Sequence, residues 1–352
     1  METLKLNETP VRTSRNFNIN NIKLEDIQIP HKIEEFHNLE IINETDKIEV
    51  NSFIDEYCLT YGNGLENQVR ENSNKNLRIA INSKKHKELF LNFKLDNKNI
   101  NLIDNIQIVA SQNTNATVYL KYETEQEVKG YHNGIVKVFT KQNSNLNIVL
   151  VNLVNSNTDN FISIDNEIAE KSKLNYTIID FGGKNSITNL YSNLLGKKSE
   201  NNINTIYLGN GKQLIDINYI GELRGEESNI NIEVQGALTD NARKHFKGTI
   251  DFKKGCKKSK GNENEFCTIL SDTSKSLALP MLLCSEEDVE GNHSSAAGRI
   301  ENKELFYIMS RGFSIKEAMK LIVRAKFNNI LENIKNEKLK NLILYEIDER
   351  LD

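Results

Sequence analysis

The chain has 352 residues, of which 38% are hydrophobic and 27% charged, with a formal net charge of −4. That length allows one large or two to three smaller domains with a real core. The charge balance excludes nucleic-acid binding by bulk electrostatics. No apolar run approaches the roughly 18–20 residues of a membrane span, and METLKLNETPVRTSRNF lacks the apolar segment of a secretory signal. The expectation is a cytoplasmic chain with no membrane or nucleic-acid partner.

Residues 1–50 are polar and weakly patterned, and SFIDEYCLTYG (52–62) reads as a short helix before a loop at Gly62 and Gly64. From residue 77 apolar residues fall at every second position, which is the strand period. The runs are RIAI (78–81), LFLNFKL (89–95), ATVYLKY (116–122), GIVKVFT (134–140), LNIVLVNLV (146–154), FISI (161–164), LNYTII (174–179), NTIYLG (204–209), LIDINYI (214–220), NINIEVQG (229–236) and FKGTIDF (246–252). Turns of Asn, Gly, Ser and Lys separate them, and no helical pattern interrupts about 200 residues, so a sandwich, barrel or solenoid is implied. A parallel β-helix absorbs such length by stacking coils. Asn suits its turns, tolerating left-handed backbone and forming amide ladders.

After Gly298 the period becomes 3.6. Leu305, Ile308 and Met309 share a face in a helix expected to stop at Gly312. Ser314 and Glu317 form a capping box, opening a helix with Ala318, Met319, Ile322, Val323, Ile330, Leu331 and Ile334 on its apolar side. A third helix is predicted over about Leu339–Leu351. These stripes are expected to pack on one another and on the last β coil, or to dock a partner.

Nothing in the chain matches a P-loop, which needs a hydroxyl residue after its lysine. GGKN (182–185), GKK (196–198) and GNGKQ (209–213) read as turns. KKGCKKSKG (253–261) is the most basic segment, either an anion site or a solvated turn, and its lysines would lower the pKa of Cys256. Cys58, Cys256, Cys267 and Cys284 form no CxxC pair, so reduced thiols are expected, with Cys267 and Cys284 in the core.

Residues 280–318 carry Pro280, Leu282, Asp288, Val289, His293 and Gly298, then Leu305, Phe306, Tyr307, Ser310, Arg311 and Gly312, then Glu317 and Ala318. In that order and spacing they resemble the C-terminal signature of the SufB/SufD family, in its SufD form, and the likeness extends upstream to about residue 115. Ser294 follows His293, where SufB members carry Glu, and Glu265 stands near the position of the functional SufB cysteine. The resemblance implies a right-handed parallel β-helix with a small C-terminal helical module. It implies a SufB–SufD-type heterodimer regulated by the SufC ATPase, which docks on the module that carries Phe306, Tyr307, Arg311 and Gly312. It also implies that His293 binds iron or the nascent iron–sulfur cluster, shared with the partner. Imidazole and thiolate are both established iron ligands.

The expected organisation is a partly helical segment over 1–75, a β-helix over 76–298 and the helical module over 299–352. The expected role is a non-catalytic scaffold for iron–sulfur cluster assembly. It would bind no cofactor tightly in isolation and hold a transient cluster in the complex. Alternatives are a homodimeric SufB-like scaffold, or a β-helix enzyme acting on polysaccharide. The latter would need clustered acids and aromatic sugar platforms, whereas the chain has no Trp and its acids are dispersed.

Overall fold

Period-two alternation lets a strand bury one face, and here the strands do so by winding. In chain order they are β1 (Leu4–Leu6), β2 (Ile22–Leu24), β3 (Leu39–Asn43), β4 (Ile48–Asn51), β5 (Lys75–Ile81), β6 (Lys87–Leu95), β7 (Asn101–Ala110), β8 (Asn115–Thr124), β9 (Tyr131–Thr140), β10 (Asn145–Leu153), β11 (Asp159–Ile168), β12 (Lys173–Asp180), β13 (Asn185–Leu194), β14 (Glu200–Gly209), β15 (Leu214–Leu223), β16 (Asn229–Leu238), β17 (Arg243–Phe252), β18 (Ser259–Ile269), β19 (Lys275–Cys284) and β20 (Val289–Arg299). Helix α1 (Glu66–Asn72) precedes β5, and α2 (Asn302–Met309), α3 (Ile315–Leu331) and α4 (Glu337–Arg350) follow β20. The computed structural model describes residues 4–12, 19–25, 27–30, 33–43, 48–52, 54, 58–125 and 127–352.

From β5 onward successive strands alternate between two nine-stranded sheets. Each pairs in parallel with the strand two places along. The result is the expected parallel β-solenoid with small C-terminal helices. One apolar column inside it runs Leu89, Val118, Ile148, Tyr176, Ile203 and Ile232 through six successive coils. All six are wholly buried, and burial of each such side chain contributes about 1.5–3 kcal/mol.

Outside the lumen, an Asn ladder ties the coils. Asn147 donates to Thr117 Oγ1 at 3.4 Å, Asn175 to Asn147 Oδ1 at 2.9 Å and Asn202 to Asn175 Oδ1 at 2.8 Å. At one corner a residue with positive φ recurs: Asn113, Asn143, Lys171, Lys198, Glu227 and Lys258. Each donates its N–H to a turn carbonyl of the next coil. Asn accounts for only two of the six. Lys and Glu hold the left-handed conformation elsewhere, at about 1–2 kcal/mol each, because the coil-to-coil hydrogen bond fixes it.

From β5 onward, five strands lie outside the predicted runs: β7, β13, β18, β19 and β20. The lumen-facing positions of β18 carry Gly261, Glu263 and Glu265, and β20 (VEGNHSSAAGR) is almost free of large apolar residues. Neither presents the alternation that marks a strand in isolation. The helix expected over 52–62 lies partly outside the described residues, and the helix of this region is α1, beyond Gly64.

Two more clusters cover the outer sheet faces. Val323, Phe327, Ile330 and Leu331 of α3 and Ile343 and Ile347 of α4 pack on Tyr119, Val149, Ile179, Ile206 and Ala237. The helices therefore lie along the flank of the even-numbered sheet, across five coils, and not on the last coil as expected. Helix α2 stops at Met309, three residues short of Gly312. The capping box of Ser314 and Glu317 is present, and α4 starts two residues before the predicted Leu339. On the other sheet, Leu6, Ile22, Leu24, Leu65 and Val69 cover Ile103, Tyr131, Ile135, Phe161 and Ile187. Asn7 clips this segment down, donating to Asp216 Oδ1 at 2.6 Å and to the Thr188 carbonyl at 3.1 Å.

Candidate functional site

The two ends of the solenoid differ. At the N-terminal end the antiparallel strands β3 and β4 close both sheets. At the C-terminal end β20 and β19 are the outermost strands, and no described strand pairs beyond them. A strand edge with free backbone groups is a template for pairing. Solenoid proteins need a polar cap or a partner at each end.

Coil-to-coil register places the side chains at this end. Gly261, Glu263, Glu265 and Cys267 of β18 alternate toward the lumen, and all are buried. Their partners on β20 are Gly291, His293, Ser295 and Ala297, so these four face the open end of the lumen. Ser295 confirms the orientation, its Oγ donating to Glu265 Oε2 at 2.9 Å. His293 lies directly beneath Glu263 in this register and is exposed.

Glu265 is fully satisfied: Lys244 Nζ donates to it at 2.7 Å and Tyr207 Oη at 2.9 Å. Glu263 is the opposite case. It is 0% exposed, and neither carboxylate oxygen accepts a hydrogen bond within the protein. Burial, with Glu265 beside it, pushes its carboxyl up to about 8. Cys267 is buried near Lys244 and Tyr207, and burial pushes its thiol up.

The cysteine expectations need two corrections. Cys256 is buried, not exposed among its lysines, and burial raises its thiol instead of lowering it. Cys284 is exposed. It lines a cleft of about 690 Å³ at the open end with Phe252, Leu282 and Gly291, because β19 has no coil beyond it to cover its last residue.

Phe306, Tyr307, Arg311 and Gly312 come together at the end of α2. Phe306 is 74% and Tyr307 57% exposed. The Arg311 guanidinium lies 4.5 Å from the Tyr307 ring centre, and Gly312 takes φ +97, which a side chain would disfavour. Met309, Phe313, Ile315 and Leu321 extend the exposed apolar surface, an amount beyond scattered surface hydrophobes. His293 stands on the preceding strand, a separate feature. The sequence pattern singled out neither Glu263 nor Lys244. Alternating acids in SKGNENEF resemble a solvated strand face until the register shows which face is lumen.

Fold and open end together define a parallel β-solenoid whose last coil is left uncovered by any described strand. Residues 93–326 match the family described as "SUF system FeS cluster assembly, SufBD core domain". The chain belongs to this family, and within it to the SufD type. It is 23% identical over 252 residues to the iron–sulfur cluster assembly protein SufD of Bacillus subtilis, covering 71% of this chain and 58% of that one. It is 27% identical over 114 residues to SufD of Escherichia coli, covering 32% and 27%. It is 29% identical over 161 residues to an iron–sulfur cluster assembly SufBD family protein of Pyrococcus horikoshii, covering 46% and 35%. The chain thus spans less than two thirds of the length of these relatives.

Proposed function

We propose that the chain is a non-catalytic scaffold subunit of iron–sulfur cluster assembly, joined through its open solenoid end to a SufB-type subunit. His293 supplies an imidazole ligand to iron or the nascent cluster at that junction, and the partner supplies the remaining ligands. A SufC-type ATPase docks on the exposed surface of α2 and the start of α3. One observation supports this reading: β19 and β20 end both sheets with uncovered edges, and His293 stands on the outermost strand, on the lumen face at the open end.

Co-expression with cognate SufB and SufC, followed by size analysis and anaerobic cluster reconstitution, tests it. The expected result is a three-component complex whose cluster yield falls with His293→Ala. Full cluster assembly by His293→Ala would remove the ligand role. A stable homodimer that gains no SufB would favour the homodimeric scaffold instead.

A further inference from the structure

The apolar column that starts at Leu89 does not continue to the end of the lumen. After Ile232 the next coil places Glu263, and the last places His293. Stacking alone would continue with apolar side chains, since the six coils before place aliphatic residues or Tyr176 there. A carboxyl at this depth is costly unless something compensates it. The surrounding residues accommodate the carboxyl without pairing with it. Opposite stands Gly248, where a Cβ would lie 2.3 Å from the Glu263 carboxyl carbon and 2.4 Å from its oxygens. Any larger residue would fill the space that the carboxyl occupies.

The buried Lys244 on the facing strand does not serve it. Lys244 Nζ is 2.7 Å from Glu265 Oε1, with both side chains at 0% exposure, while Glu263 is left with no donor. The group one strand spacing away, about 4.8 Å along the sheet, is His293, at the open mouth. A carboxylate and an imidazole on one lumen face are the oxygen and nitrogen donors that first-row divalent ions accept. Among the described residues no three such ligands gather, so this chain would contribute two and leave the other positions to water or to the subunit that covers the end.

We propose that Glu263 and His293 form a two-ligand half-site for a first-row divalent metal ion at the open end of the lumen. The inference deepens the proposed function and rests on its assignment of His293 as a ligand. It adds that the metal is held partly inside the solenoid, by a buried carboxylate, and not only at the surface of the junction.

The probe is Co2+ added anaerobically to the purified full chain, with ligand-field absorption and calorimetry as readouts. The expected result is uptake of one Co2+ per chain, weakened at least tenfold by Glu263→Gln and by His293→Ala and unchanged by Glu290→Gln, an exposed acid on β20. Circular dichroism and thermal melting establish that each variant is folded. If Glu263→Gln does not fold, Glu263→Asp retains the charge but withdraws it by one methylene, and the same loss is expected. If His293→Ala loses Co2+ while the folded Glu263 variant binds like wild type, the half-site is overturned and the His293 reading stands. If the variants all bind like wild type, an adventitious ion only is bound, and both readings of metal binding fail. Absence of Co2+ uptake by the wild-type chain also overturns the half-site.

Discussion

Lys244 and Glu265 form an ion pair at 2.7 Å with no solvent exposure on either side chain. They reach each other across the lumen from opposite sheets, β17 and β18. The pair sits one coil inside the open end, with Tyr207 and Ser295 completing the coordination of the carboxylate. It closes the apolar core just where the lumen turns polar. A buried pair of this kind is weak as a source of stability, but breaking it strands a charge.

Lys244→Met is therefore expected to destabilise the C-terminal coils by about 3–5 kcal/mol. Lys244→Met combined with Glu265→Leu, which removes both charges, should restore most of that loss. Urea unfolding with amide hydrogen exchange of β16 to β20 measures both. Equal destabilisation by the single and the double variant would show that packing, not the stranded carboxylate, accounts for the cost.

Asp180 gives the chain a pH-dependent term. It is buried, and burial raises its carboxyl to about 6 even though Ser186 and Asn152 donate to it. The folded state then holds a proton between the ordinary value of 3.8 and about 6 that the unfolded state has released. Stability accordingly falls as pH rises through that window, by on the order of 2–3 kcal/mol. Asp180→Asn should remove this slope and leave the variant no less stable than wild type at neutral pH. Denaturant midpoints across the window decide, and an unchanged slope in the variant would place the titrating group elsewhere.

The four thiols divide into two classes. Cys58 and Cys284 are exposed, while Cys256 and Cys267 are buried with thiols pushed up by that burial. Two of the four cysteines should therefore react promptly with a thiol reagent under native conditions, and all four after unfolding. Peptide mapping of the labelled protein identifies them. Prompt labelling of Cys256 would contradict its place beneath the turn.

Phe306 and Tyr307 contribute surface, not core. The double variant Phe306→Ala with Tyr307→Ala should leave stability within about 0.5 kcal/mol of wild type, as for most surface changes. Aromatic anchors dominate binding energies, so co-purification with a SufC-type ATPase should fall at least tenfold. Retained docking would move the ATPase surface away from α2.

Much of the architecture is legible in the sequence. Period-two runs from residue 77 marked eleven of the strands, and the change to a 3.6 period after Gly298 marked the helices. Ser314 and Glu317 announced the start of α3 because a capping box is a local interaction, complete within four residues. Two of the strands that escaped, β18 and β20, have inward positions that are polar or small. In β18 and β20 the alternation carries Glu, His, Ser and Gly, and neighbouring coils alone hold them in the sheet. Cys284 departs from its expected place in the core for a related reason. Its strand is apolar, but the end of the solenoid leaves its last residue without a coil above it.

The sequence by itself determined most of the strand runs, the helical module and the segment around His293, since each depends on residues near one another along the chain. The tertiary structure decided which face of each strand is the lumen, that the helices run along the flank, and that Glu263 stands in register with His293 one coil, or 30 residues, later. These are coil-to-coil relations. Coils vary in length, with ladder partners 27 to 30 residues apart, so no fixed spacing in the sequence aligns them. Only the hydrogen-bonded register does.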